Sequence, residues 1–166
     1  MPGLNRRAFV GSVVATSISP TAALSQQRRD PNNQDPTPMR IRMTFGNRSM
    51  FATLYDNPAA RDFVTMLPLD LTIEDYSTNE KIVRLPRRLT EEGSGPFGNE
   101  RPYDLCYFKP WGNLALFYDD YRHPGLIRLG RFDEGHEALH VKGEFPVRIE
   151  RIDQLTDQSI PQDQEP

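Results

Sequence analysis

The chain of 166 residues has a single cysteine, Cys106, which excludes an intrachain disulfide framework and any multi-cysteine metal site. Its neighbours Leu105 and Tyr107 are those of a buried thiol, not of a nucleophile. Positive charge is also short. Lys and Arg number 20 against 23 Asp and Glu, with no basic run, so no nucleic-acid partner is expected. Long apolar runs are missing as well. The longest, from Ala8 to Ala23, is diluted by Ser and Thr and broken by Pro20, too short and too polar for a stable membrane-spanning helix. Only two segments have the makings of a helix. Fifteen prolines and eleven glycines instead favour a β-rich chain with many turns.

What is present centres on Tyr103 to Arg131. Tyr103–Phe108 and Leu114–Tyr118 are two runs of aromatic and aliphatic residues, and the five residues between them include Pro110, Gly112 and Asn113. That is the pattern of a hairpin. Neither run has a polar side at its middle, which places both in the interior of a sheet or barrel. A third run, Gly125–Arg131, follows after Tyr121-Arg122-His123-Pro124.

The flanks read in order. Asn5-Arg6-Arg7-Ala8-Phe9-Val10 precedes the mild apolar run, and Ala23-Leu24-Ser25 offers small residues where a signal peptidase cuts. The segment 1–25 resembles a twin-arginine export signal; the alternative is an uncleaved tail. Its removal would take two arginines and no acid, moving the formal charge from −3 to −5 and leaving a soluble periplasmic or secreted protein with no stable membrane insertion. Residues 26–39 are polar and proline-broken, a flexible linker. The fold is expected to begin at Arg40 with an alternating strand, a turn at Gly46-Asn47 and a returning strand at Met50–Tyr55. Asn57 and Pro58 open a helix whose apolar face is Ala60, Phe63, Val64 and Leu67, and Pro68 closes it. Leu69–Glu74 and Lys81–Leu85 read as further strands. Residues 87–102 form a loop; its Gly-Ser-Gly-Pro-Phe-Gly lacks the lysine and helix of a phosphate cradle. Asp133–His140 reads as a short helix, Phe145–Ile152 as the last strand and residues 153–166 as a disordered tail. Eight strands and two short helices suit an all-β fold, a closed antiparallel eight-stranded barrel with helices over its ends.

Several short segments carry a family resemblance: Leu54-Tyr55-Asp56-Asn57-Pro58, Met66-Leu67-Pro68-Leu69, Glu80-Lys81-Ile82, Pro110-Trp111-Gly112-Asn113-Leu114 and Leu126-Ile127-Arg128-Leu129-Gly130-Arg131. In this order they resemble the small bacterial cyclophilin-like proteins, over Arg40 to Ile152. The resemblance implies a compact cyclophilin-like barrel. Cyclophilins proper isomerise the peptide bond before proline. The His-Arg pair and Gln-Gly-Gly-Asp turn that serve that reaction have no counterpart here, so no catalytic residue carries over.

His136-Glu137-Ala138-Leu139-His140 satisfies the H-E-x-x-H pattern of zinc proteases. A third ligand at the extended spacing would be Pro146, which cannot coordinate, so no metal or other cofactor is expected. Binding residues are sought instead among the aromatics. Trp111, Tyr107 and Tyr118 are candidates for lining a groove, with Trp111 plugging the barrel mouth as the alternative. Glu80 and Arg131 are candidate polar fixtures of that groove, or else Arg131 forms a structural ion pair with Glu80 or Asp75. The first reading is therefore an exported cyclophilin-like barrel that binds a peptide segment or small ligand in an aromatic groove. The second is a peptidyl-prolyl isomerase in which Arg84, Arg128 or Arg131 replaces the missing arginine. A zinc hydrolase on the His-Glu-Ala-Leu-His segment comes third. Nothing in the sequence signals an oligomeric state.

Overall fold

The computed structural model describes residues 34–152. The expected signal segment, most of the linker and the tail from Asp153 lie outside the described residues. Gly46, at φ 57°, and Asn47 reverse the chain between β1 (Pro36–Phe45) and β2 (Arg48–Tyr55). β1 thus starts four residues before the expected Arg40. The Thr37 hydroxyl donates to Leu54 O at 2.9 Å, and Asp56 N donates to Asp35 O at 3.0 Å. Thr37 joins the sheet through its hydroxyl and Asp35 through its backbone, bonds that need no apolar side chain and so leave no hydropathy signal.

The expected cap forms next. Asn57 Oδ1 accepts from Ala60 N at 2.9 Å, and Pro58 opens α1 (Pro58–Val64), which buries Ala59, Ala60 and Phe63. The helix ends short of Leu67, and the chain passes through a cis Leu67–Pro68 bond into β3 (Leu69–Tyr76) and β4 (Glu80–Arg84). After the long loop come β5 (Asp104–Phe108), β6 (Asn113–Phe117), β7 (Leu126–Glu134) and β8 (Phe145–Ile152). The helix expected over Asp133–His140 is corrected: β7 runs through Glu134, and only His136–His140 winds, as a 3₁₀ turn after Gly135 at φ 68°.

The strands close into the expected antiparallel barrel, in the order β1-β2-β7-β5-β6-β4-β3-β8. Strand alternation sends Met43, Leu54, Ile73, Leu105, Leu116 and Ile149 inward, each fully buried. Each such side chain contributes about 1.5–3 kcal/mol by leaving water. α1 follows the end of β2, and the 3₁₀ turn packs beside its start, so the barrel is capped at both ends. Gly130 is required where β7 crosses β2, because a Cβ there would lie 2.3 Å from Thr53 O.

β5 and β6 are buried on both faces, as their composition predicts, for a reason particular to a barrel. Leu105, Tyr107, Leu114 and Leu116 fill the interior, while Cys106, Ala115 and Phe117 join Leu126 in a second cluster on the outside. Phe97, Phe108 and Tyr121 cover that outer cluster. The loop expected as a surface excursion therefore serves as a second layer.

Candidate functional site: an aromatic groove on the outer sheet face

The site grows out of strand parity. Residues two apart on a strand share a face, and the ladders align Glu80 with Phe117, Ile82 with Ala115 and Arg84 with Asn113. On the far side of β6, Phe108 lies opposite Asn113 and Cys106 opposite Ala115. On β3, Tyr76 pairs with Glu80. One outward face thus carries Tyr76, Glu80, Ile82, Phe117, Asn113 and Phe108. The β5–β6 turn adds Trp111, the segment before β7 adds Tyr121, Arg122 and His123, and β7 itself adds Leu126, around a cavity of about 300 Å³.

The rings brace one another edge to face. Tyr76 meets Trp111 at 5.2 Å, Trp111 meets Phe108 at 5.5 Å, and Phe108 meets His123 at 5.0 Å. Tyr121 stacks flat on Phe117 at 3.7 Å. Such offset and edge contacts hold aromatic walls in place at little entropic cost. Trp111 is 51 % exposed, so it lines the groove and does not plug the barrel.

Glu80 sits between two aromatic neighbours, Tyr76 on one strand and Phe117 on the other. Burial pushes its carboxyl up to about 6, against a smaller downward pull from His123. It has no hydrogen-bond or ion-pair partner among the described residues. Asn113 is buried too. Its Nδ2 donates to Leu114 O at 2.9 Å, while its Oδ1 has no partner among the described residues. His123 Nδ1 lies 2.6 Å from Pro124 O; a carbonyl only accepts, so Nδ1 is the donor of this contact.

A second cavity of about 530 Å³ adjoins the first. It is lined by Ser94, Gly95, Pro96, Phe97, Glu100, Lys109 and Pro124 and shares Arg122, His123 and Leu126 with its neighbour.

Of the residues singled out in the sequence, Glu80 and Trp111 meet in the groove. Tyr107 points into the barrel, where its hydroxyl accepts from Leu89 N at 3.2 Å. Tyr118 is buried near the 3₁₀ turn and accepts from Lys142 Nζ at 2.6 Å. Arg131 pairs with Asp104 at 3.2 Å and with neither Glu80 nor Asp75. The reason is register: Asp104 lies directly across from Arg131, whereas β5 and β6 separate β7 from Glu80 on β4. Asp75 is taken by Lys81 at 2.6 Å. Tyr76, Phe108, Asn113, Phe117, Tyr121 and His123 were missed. Period-two alternation through the hairpin would have grouped Phe108, Asn113 and Phe117 and set Tyr107 apart from them.

The arginines proposed for isomerisation lie elsewhere. Arg84 faces solvent beside Glu74, and Arg128 and Arg131 are engaged by Asp104. In the His-Glu-Ala-Leu-His segment, a 3₁₀ turn sets residues four apart about 120° from each other, not on one face. His136 stacks on Tyr103 at 3.9 Å and His140 leans on Tyr118 at 5.1 Å. Among the described residues no three His, Cys, Asp or Glu side chains are placed to hold a metal ion.

Residues 43–150 match the family model of the cyclophilin-like family. No curated protein matches the chain. A hypothetical protein of Archaeoglobus fulgidus, known from a solution structure, is similar in fold: TM-score 0.59 at 19 % identity, over 72 % of this chain and 98 % of that one.

Proposed function

The chain belongs to the cyclophilin-like family, and on that premise we propose that it is an exported barrel that binds a peptide segment in the aromatic groove. The observation that carries this reading is the pair of adjoining cavities sharing Arg122, His123 and Leu126. Their combined run suits a ligand longer than one side chain, and aromatic walls with few polar groups suit recognition of chain segments. Export rests on the paired arginines and the small residues before Gln26, outside the described residues. Prolyl isomerisation is not favoured. Arg122, on the rim and mostly exposed, is the one arginine lining the groove among the described residues.

The test uses Trp111, the only tryptophan, as the reporter. Tryptophan-free peptides titrated into the folded protein are expected to shift its fluorescence, and Trp111→Phe to silence the signal. A protease-free isomerisation assay on the same peptides is expected to show the uncatalysed rate. A peptide pool that leaves Trp111 unperturbed in folded protein would sink the binding reading.

A further inference from the structure

We propose that the cavity around Glu80 takes the cationic end of a basic side chain, the ammonium of lysine or the guanidinium of arginine, from the bound peptide. The inference rests on the groove-binding reading above and specifies what enters its first cavity.

The polar groups there are unbalanced. Glu80 lies between Tyr76 and Phe117 without a side-chain partner among the described residues. Asn113 is 2 % exposed, and its orphaned Oδ1 is an acceptor. The alternative amide orientation would set that oxygen against Leu114 O, so the donor contact at 2.9 Å fixes which atom is left over. Two nearby donors are already committed: the Tyr121 hydroxyl donates to Asp104 at 2.7 Å, and Asn79 Nδ2 to Asp120 O at 3.0 Å. A buried acceptor without a donor is costly, so the complementary ligand brings N–H groups.

The walls point the same way. Trp111, Tyr76 and Phe108 offer ring faces and edges around a carboxylate, and aromatic faces attract cations. The aliphatic stem of a lysine or arginine suits the apolar wall of Ile82 and Leu126. Arg122 and His123 are the basic groups facing Glu80. Arg122 is mostly exposed and lies 3.9 Å from Glu100, which leaves the inner carboxylate to the ligand.

The experiment uses the full chain and short tryptophan-free peptides identical except for one central residue: lysine, norleucine or trimethyl-lysine. Free n-butylamine is the separate-cation arm. Lysine is expected to bind about tenfold tighter than norleucine near neutral pH, the scale of a hydrogen-bonded charge contact. Trimethyl-lysine keeps the charge but has no N–H and should fall between them. Glu80→Gln should bring lysine down to the norleucine level. Lowering the pH of the wild type through about 6 should do the same, because Glu80 then takes up a proton, and the variant should show a flatter profile.

Equal affinity for lysine and norleucine would overturn the inference while groove binding survives. So would a lysine preference that persists in Glu80→Gln. Butylamine binding as tightly as the lysine peptide would overturn the peptide as the source of the cation. If none of these probes shifts Trp111 but a mixed peptide pool does, the inference falls alone; if the pool fails too, both readings fall.

Discussion

Two carboxylates on the same outer face of the sheet meet opposite fates. Asp104, on β5, is fully buried and saturated: Arg128 Nη2 at 3.1 Å, Arg131 Nη1 at 3.2 Å, the Tyr121 hydroxyl at 2.7 Å and Arg101 N at 3.2 Å. Arg128 carries the latch outward, donating to Gln34 Oε1 and Asn99 O at 2.8 Å each and lying 4.4 Å over the Phe97 ring. Among the described residues, its Nε lacks a partner. Glu80, on β4, is half-buried and has none of this. Surrounding charge and hydrogen bonds make Asp104 the pin of the covering loop, whereas their lack among the described residues is what supports the proposed recognition role of Glu80. A buried charge with its complement inside the fold is structural; one without it is available to something from outside.

The difference can be broken hardest at Asp104. Asp104→Ala strands Arg128 as an uncompensated buried charge and is expected to cost about 3–5 kcal/mol, read as a drop in the midpoint of urea unfolding. Tyr121→Phe separates the two regions, because this side chain serves both. It loses a hydrogen bond to a carboxylate, about 2 kcal/mol, but keeps the ring on Phe117 and so the groove wall. Stability should fall while peptide affinity changes little. Tyr121→Ala should lower both.

Glu80→Gln should act in the opposite direction. A carboxyl whose folded value, about 6, exceeds its ordinary 4.5 destabilises the fold when ionised, so stability falls as the pH rises through that window. The variant is expected to be more stable near neutral pH by about 1 kcal/mol, with screening of this half-exposed group allowed for. Below the lower value the gain should vanish. Stability curves of the two proteins that stay parallel across that range would count against the desolvated carboxylate. The smallest effect on stability belongs to Trp111→Ala, within about 0.5 kcal/mol for so exposed a side chain. The same change should weaken peptide binding about tenfold, measured by calorimetry since the fluorophore is gone.

The sequence was informative where local chemistry and side-chain period decide the outcome. The Gly46-Asn47 turn, the Asn57-Pro58 cap and the closed eight-stranded barrel all follow from it. It went astray at Pro36–Met39, which joins β2 through a hydroxyl bond rather than an apolar alternation, and where a candidate helix of barely two turns met the continuing β7 ladder. For the groove, a charged residue and an exposed tryptophan were legible at Glu80 and Trp111, whereas Tyr107 and Tyr118 had the right chemistry on the wrong side of the wall.

By itself, then, the sequence determined which stretches are strands, which residues turn and cap them, and that one apolar core closes among them. Those follow from backbone preferences and a period of two, each readable within a few residues. Only the tertiary structure decided which side chains share a face across strands distant in the chain. Barrel closure and register set Glu80 between Tyr76 and Phe117, and set Arg131 against Asp104. The electrostatic character of each carboxylate came from that placement, because desolvation and pairing depend on neighbours in space rather than neighbours in sequence.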